Sequence, residues 1–250
     1  MGHIRFLSNM WLCRLMFLTL LFAQFSSPAN AQGTIPSVGV DFWYGYMHNS
    51  ATANQELRLF ISSQVATTGT VDIPLQGWST NFTVAPNVTT TVIIPNNVGE
   101  TLGSDMIESK GIHVTTADSV SLFAINFATY SADASKILPK QSLGTEYLVS
   151  AYQGISAQSR SELLIVATED NTQIEITPSV NTAGNNVAGI PYIIDIDAGE
   201  TYQLRSLWSG DDLTGTKIVS TSQSGSCRPF AVFGGAQCAN VPCLLYTSPS

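Results

Sequence analysis

Charged residues and histidines are scarce in this chain of 250 residues. Lysine and arginine number 10 against 18 aspartates and glutamates, which gives a formal net charge of −8. Because an acidic surface repels the phosphate backbone, this composition argues against nucleic-acid binding. Only 3 histidines occur, and none has a second histidine two or four positions away. The sequence therefore predicts no zinc site and no metal ligands.

Motifs of catalysis are also missing. The segment Gly154-Ile155-Ser156-Ala157 lacks the second glycine of a nucleophile elbow, and no glycine-rich phosphate loop occurs. No pattern among the acidic residues selects a pair of carboxylates for acid–base chemistry. We therefore predict no catalytic residue and no enzyme, with a secreted carbohydrate-active hydrolase as the less favoured alternative.

Long apolar runs are absent except at the N-terminus. The run at 15–25 follows two arginines and precedes Ala29-Asn30-Ala31, the order of a secretory signal peptide. Its length of about 11 residues is short for a membrane span. We predict a signal peptide at 1–31 and a secreted, extracellular protein, with any cell-surface attachment made through domains beyond this chain. No transmembrane segment is expected after cleavage.

The few cysteines are unevenly placed. Cys13 lies in the predicted signal peptide, whereas Cys227, Cys238 and Cys243 fall within the last 24 residues. Export favours their oxidation to disulfides. Two pairings stay open. Cys227 can pair with Cys238 if the chain turns at Gly234-Gly235, or Cys238 can pair with a cysteine downstream of this chain.

Alternating apolar and polar residues dominate the chain after residue 40. Runs of β-branched residues bounded by glycine, proline or asparagine predict strands. Those of the first half lie at 57–61, 70–73, 81–84, 90–94, 112–115 and 120–127. We expect one short turn of helix at 131–138 and no amphipathic helix of ten residues or more. The predicted fold class is all-β.

An internal repeat is the most informative pattern in the sequence. The segments 57–61 and 69–74 are echoed by 162–166 and 172–178, and similar pairs continue at offsets of 103 to 112 residues. A repeat of about 105 residues has the size of one β-sandwich. We predict two tandem β-sandwich-like units, at 32–150 and 151–242. A single larger sandwich and a propeller of strand pairs stay open as alternatives.

Aromatic residues crowd the predicted mature N-terminus. Alternation places Phe42, Tyr44 and Tyr46 on one face of a strand and Trp43 on the other. These aromatics either form an exposed platform for a partner or bury themselves in a core. The irregular insertions at 130–140 and 181–189 also suit partner binding. The candidate partner-binding residues are Trp43, Tyr44, Tyr130 and Asp133.

Acidic loops at 169–171, 195–197 and 211–212 suggest calcium. The competing interpretation is ordinary turn chemistry, because aspartate and asparagine favour turns. No complete twelve-residue calcium loop is present. The sequence therefore predicts no cofactor, and calcium is the one ion left open.

Seven short blocks along the chain resemble the IgGFc-binding protein N-terminal domain family. They lie, in the family's order, at 40–47, 104–115, 130–134, 143–147, 165–172, 230–235 and 238–242. The resemblance implies an adhesive extracellular module, found in bacterial secreted or surface proteins and in animal mucus proteins, and not an enzyme. Members continue differently after the last block, so 243–250 is predicted to be a truncation or a non-native tail.

These observations together predict a non-catalytic binding or adhesion module. It would form the N-terminal part of a larger secreted or surface protein. Its expected partner is an extracellular glycan or protein of the mucus or matrix kind. The alternative is a structural stalk or spacer domain with no ligand of its own.

Overall fold

The computed structural model of the chain describes residues 36–50, 54–129, 131–156, 159–221 and 227–239. Within these ranges, no helix is both long and apolar enough to span a bilayer. Several sequence predictions lie outside the described residues. They concern the signal peptide at 1–31, Cys13, Tyr130, Cys243 and the tail at 243–250.

Strands are the dominant regular structure of the described ranges, so the predicted all-β class is confirmed. Besides strands they contain one helical turn, Asn96–Gly99, and two short 3-10 turns. The strands are β1 Gly39–Tyr44, β2 Glu56–Ser62, β3 Thr67–Ile73, β4 Trp78–Val84, β5 Thr90–Ile94, β6 Met106–Glu108, β7 Ile112–Ala128, β8 Ser131–Ile137, β9 Glu146–Leu148, β10 Ser161–Ala167, β11 Thr172–Thr177, β12 Tyr192–Ile196, β13 Thr201–Arg205, β14 Lys217–Thr221 and β15 Phe230–Ala236.

Strand alternation accounts for the elements that the sequence located. In β2 every second residue is buried, and these are Leu57, Leu59 and Ile61. The two strands predicted at 112–115 and 120–127 are instead one continuous strand, β7. The helical turn predicted at 131–138 is wrong, because β8 pairs along its whole length with β7. Its alanines and serines carry little strand propensity, and cross-strand pairing overrides that local preference.

The first group of strands encloses one core between two sheets that share β7. Sheet 1 has the order β4-β3-β7-β1, and sheet 2 has the order β5-β2-β7-β8. Phe42 and Val71 from sheet 1 meet Leu59 and Leu122 from sheet 2 in this core. The long β7 therefore passes from one sheet of a sandwich into the other.

The second group repeats this arrangement with separate strands. Sheet 3 has the order β6-β13-β10-β15, and sheet 4 has the order β12-β11-β14-β9. Leu163 and Ile165 of sheet 3 pack with Ile174 and Ile218 of sheet 4. Strand β6 precedes β7 in the chain yet pairs with β13, so the two groups share sheet 3. The pairing of β6 with β13 therefore crosses the predicted boundary at 150/151.

The two groups pair their strands in the same pattern. β2 lies between β5 and β7 as β10 lies between β13 and β15, and β3 lies between β4 and β7 as β11 lies between β12 and β14. β1 flanks β7 as β9 flanks β14. The internal repeat and the division into two separate units both stay predictions.

One detail of the predicted repeat is off by a residue. The sequence alignment matched Leu57 with Glu162, but Leu57 faces the first core whereas Leu163 faces the second. Every residue of β10 is buried. A strand buried on both faces shows no alternation from which its register can be derived.

Trp43 of β1 joins the two groups. Its side chain packs on Leu164 and Val166 of β10, which point away from the second core. The indole also stacks on His113, with ring centroids 4.1 Å apart and an interplanar angle of 12°. The junction is thus an apolar contact between the outer faces of sheets 1 and 3.

Truncating Trp43 tests the weight of this junction. We expect Trp43→Ala to lower the free energy of unfolding by about 3–5 kcal/mol, because it leaves a cavity between two sheets. Trp208→Ala is the matched control, since Trp208 is 67% exposed, and it should cost less than about 0.5 kcal/mol. Denaturant unfolding followed by far-UV circular dichroism gives both values. Equal losses of unfolding free energy in the two variants would contradict the stabilisation of the junction by Trp43.

Candidate functional site

A groove of about 590 Å³ lies between the two strand groups. Its floor is formed by β7 and β8 with Asn126 and Asp133. One wall is the segment at 45–49 that follows β1, and the other is the end of β15 together with Tyr152. Three separate parts of the chain thus converge on this groove.

Strand register explains the polar floor of the groove. Asn126 pairs with Asp133, and Ala124 pairs with Ser135, one step closer to the core. Leu122, a further step along the same face, is fully buried. The groove is therefore the place where the core-facing side of sheet 2 continues beyond the core and becomes polar.

Hydrogen bonds fix the wall that faces the floor. The Nδ2 atom of Asn126 donates to the carbonyl of Met47 at 3.0 Å. The Oδ1 atom of Asn126 accepts from Asn49 Nδ2 at 3.3 Å and from Gln55 Nε2 at 3.4 Å. Asp133 is exposed, and its Oδ1 accepts the amide of Ala134 at 2.8 Å. The asparagine holds the groove's shape, and the aspartate offers it a carboxylate.

A histidine and a buried glutamate support the wall from behind. His48 Nδ1 lies 3.3 Å from Glu100 Oε1, which also accepts the amide of Asn49 at 3.0 Å. Burial by itself would raise the pKa of Glu100, but hydrogen bonds from His48, Asn49 and Gln55 outweigh it and lower that pKa. Glu100 is therefore an anion that ties the segment after β1 to the rest of the structure.

Glu162 is the most deeply buried carboxyl near the junction. Its Oε1 accepts a hydrogen bond from Arg205 Nε at 2.6 Å, while its Oε2 has no partner among the described residues. Burial raises the pKa of Glu162 to about 8, although the Arg205 guanidinium opposes the shift and Glu100 adds to it. The protonated form is thus favoured over a wide pH range.

Trp43 and Tyr44, two of the aromatic residues proposed for partner binding, are buried, and the interpretation is corrected for these two. Trp43 lies in the junction, and Tyr44 is fully buried with its ring edge-on to Tyr46, the centroids 5.4 Å apart. Burial raises the pKa of Tyr44 well above its usual value. Strand alternation sends Tyr44 into the first core and Trp43 into the junction, so neither forms an exposed platform. Asp133 is the candidate that lines the groove.

Cys227 and Cys238 are both free in the structure. Strand β15 lies between them and pairs with β10 without interruption from Phe230 to Ala236. No turn therefore occurs at Gly234-Gly235, and a strand of this length spans about 20 Å, far beyond the reach of about 7 Å for a disulfide. The predicted bond between the two cysteines is not formed. Cys238 instead lines the groove.

The acidic loops act as turns in the structure. Asp197 Oδ1 accepts the amide of Asn171 at 2.6 Å, and Asp170 Oδ1 accepts that of Ala198 at 3.1 Å. Asp212 likewise accepts the amide of Thr214 at 2.8 Å. Across the part of the chain that the structure describes, no three His, Cys, Asp or Glu residues cluster to hold a metal ion. These contacts favour turn chemistry for the carboxylates.

Most of the groove was invisible to sequence reasoning. His48, Asn126, Tyr152 and Gln237 all line it. They lie far apart in the chain, and each alone is an ordinary polar or aromatic residue between strands. The one available signal was the irregular insertion at 130–140, which led to Asp133.

Comparison with known proteins gives a consistent result. Residues 133–244 match the family model described as IgGFc binding protein. The human IgGFc-binding protein is 28% identical over 187 residues, which cover 73% of this chain and 3% of the human protein. No solved structure matches the chain. The family resemblance predicted from sequence is confirmed, and Asp133, Tyr152 and β15 all lie within the matched segment.

The buried carboxyl of Glu162 predicts a pH dependence of stability. A carboxyl whose pKa is raised on folding stabilises the native state fully below its unfolded pKa. That contribution is lost as pH rises towards about 8. We expect the urea midpoint of the native protein to fall between about pH 5 and about pH 9, and Glu162→Gln to reduce this fall.

Glu146→Gln is the control for this measurement, because Glu146 is exposed and forms a surface pair with Lys217. It should leave the pH profile of the midpoint unchanged. A Glu162→Gln profile that parallels the native one would show that Glu162 titrates as an ordinary carboxyl.

Proposed function

Because residues 133–244 match the IgGFc binding protein family, we propose that this chain is a non-catalytic extracellular module that binds a protein partner in the groove. The observation that carries the proposal is the placement of an exposed edge strand beside a preformed groove, both of which lie partly within the matched segment. Export by a signal peptide at 1–31 and a place in a larger secreted or surface protein belong to the same proposal.

Strand β8 supplies the first element of recognition. Among the described strands it pairs with β7 alone, and residues 132–136 are all exposed. An extended segment of a partner can add to such an edge through main-chain hydrogen bonds. Asp133 places a negative charge on the side of this edge that faces the groove, which discourages unspecific pairing and favours a partner with a positive charge there.

Tyr152 supplies the second element. Tyr152 is 52% exposed, and it lines the groove together with Asp133. The amide of Tyr152 donates to the carbonyl of Gly235 at 3.3 Å, which ties this segment to β15. Aromatic residues on an ordered backbone lose little entropy on binding and dominate many protein interfaces.

The groove has the dimensions and chemistry of a peptide site. Its volume of about 590 Å³ falls within the range of binding pockets. Apolar residues such as Phe233 and Ile137 line it beside the polar Asn126 and Gln237. This mixture suits the side chains of a polypeptide. The human relative carries the Fc region of immunoglobulin G in its name, and Fc is therefore the first probe.

Substitutions in the groove test the proposal. We expect the chain to bind immobilised immunoglobulin Fc, and Tyr152→Ala and Asp133→Lys each to raise the Kd at least about tenfold. Asp118→Lys is the control, because Asp118 is an exposed aspartate on β7 away from the groove, and it should leave the Kd unchanged. Biolayer interferometry measures binding, and circular dichroism verifies the fold of each variant.

Two results would count against this function. Absence of Fc binding by the native chain would remove Fc as the partner and favour a spacer role. Binding that survives both groove substitutions would place the interaction elsewhere on the surface.

A further inference from the structure

The chain already contains one contact between the outer faces of two sheets. Trp43, on the outer face of sheet 1, covers Leu164 and Val166 on the outer face of sheet 3. Gly45 follows two residues after Trp43, and a Cβ atom at Gly45 would come within 2.8 Å of the Leu164 side chain. This close approach is what buries the outer face of β10.

The outer face of sheet 4 corresponds to the outer face of sheet 1, which carries Trp43. Strand β9 flanks β14 as β1 flanks β7, and its outward residues are Glu146 and Leu148. The strand partner of Leu148 is Lys217, which also points outward. Leu148 is 74% exposed. In sheet 4 the face equivalent to that of Trp43 therefore carries an apolar residue that nothing in the described chain covers.

The outer face of sheet 2 corresponds to the outer face of sheet 3, on which Trp43 packs. β2 and the second half of β7 pair as β10 and β15 do. Phe60 lies opposite Phe123 on its outer face, and Ile125 and Ile93 flank Arg58. Phe123 is 41% exposed and Ile93 is 59% exposed. This aromatic face lacks the cover that Trp43 gives to sheet 3.

The charges on the two uncovered faces are complementary. Arg58 lies 4.8 Å from the ring centroid of Phe127, and Lys136 lies 5.7 Å from that of Phe123. Glu56 on the same face pairs with Arg58 at 2.7 Å, so the outer face of sheet 2 carries two cations and one anion. The outer face of sheet 4 carries Glu146, Glu175 and Asp195, with Lys217 as its cation in the same strands. Opposite charges on the rims favour and orient an encounter between the faces.

We propose that the outer face of sheet 4 of one copy docks on the outer face of sheet 2 of a second copy of this chain. In this contact Leu148 corresponds to Trp43 of the contact within one chain. Phe60 and Phe123 correspond to Val166 and Ala231. The contact uses a different patch on each partner, so it is heterologous and leaves one face of each kind free at the ends. Further copies extend the assembly in the same way.

Two single substitutions separate the two faces. Phe123→Glu places a negative charge on the outer face of sheet 2, where it repels the acidic outer face of sheet 4. Leu148→Lys replaces the exposed apolar residue of sheet 4 with a cation. Both positions are exposed, so we expect the fold to be retained, and circular dichroism verifies it for each variant. Sedimentation velocity of the purified native chain should show a mass that rises with concentration. Each variant alone should stay monomeric, with a Kd for self-association at least about tenfold weaker.

Mixing the variants gives the sharpest measurement. The Phe123→Glu copy keeps the sheet 4 face, and the Leu148→Lys copy keeps the sheet 2 face, so an equimolar mixture should form a one-to-one dimer and no larger species. Trp208→Lys, at an exposed tryptophan outside both faces, is the control and should associate like the native chain.

Three results would overturn the proposal. They are a native chain that stays monomeric at all concentrations, self-association by either variant alone, and a mixture that fails to dimerise. None of these results bears on the proposed binding in the groove, because Fc binding is measured separately. Its variants, Tyr152→Ala and Asp133→Lys, lie on other faces. The two proposals therefore succeed or fail independently.

Discussion

Burial of both faces of β10 is the constraint on which the rest of the structure depends. One face supplies Leu163 and Ile165 to the second core, and the other supplies Leu164 and Val166 to the contact with Trp43. Apolar area buried on two sides stabilises a strand about twice as much as area buried on one side. This strand positions β15 beside it, and β15 with the segment after β1 forms the groove walls.

The same burial explains why charged groups lie at the junction. Glu162 belongs to β10 and has no exposed surface, so burial disfavours its charge and raises its pKa. Arg205, on the neighbouring strand β13, donates to Glu162 and also to the carbonyl of Leu102 at 2.8 Å. Gln203 of β13 accepts the amide of His48 at 3.1 Å. Strand β13 thus links the groove wall, β10 and the loop before β6 through polar contacts.

The fold was largely predictable because its strands obey alternation. The buried positions Leu57, Leu59 and Ile61 could be assigned from sequence, and so could the opposite orientations of Trp43 and Tyr44. Strand β8 was missed because its alanines and serines adopt strand structure only through pairing with β7.

The groove was largely unpredictable, since its geometry follows from tertiary contacts between distant segments. The Asn126 side chain binds the carbonyl of Met47, 79 residues earlier in the chain. Local periodicity carries no information about such a pair. Exposure was equally hidden, because a conspicuous aromatic such as Trp43 turned out to be interior, while Tyr152 and Leu148 lie at the surface.

Strand β8 connects the two proposed interactions. Asp133 lies on the side of sheet 2 that forms the groove floor, whereas Lys136 lies on the outer side beside Phe123. A partner in the groove and a second copy on the outer face therefore occupy opposite sides of one strand and do not compete for surface. Each copy added through sheets 2 and 4 brings another groove at a fixed spacing. A row of weak sites at regular spacing binds a multivalent partner far more tightly than one site does, because every binding event after the first is intramolecular. Self-association would thus convert modest affinity in one groove into strong adhesion, without any change in the groove itself.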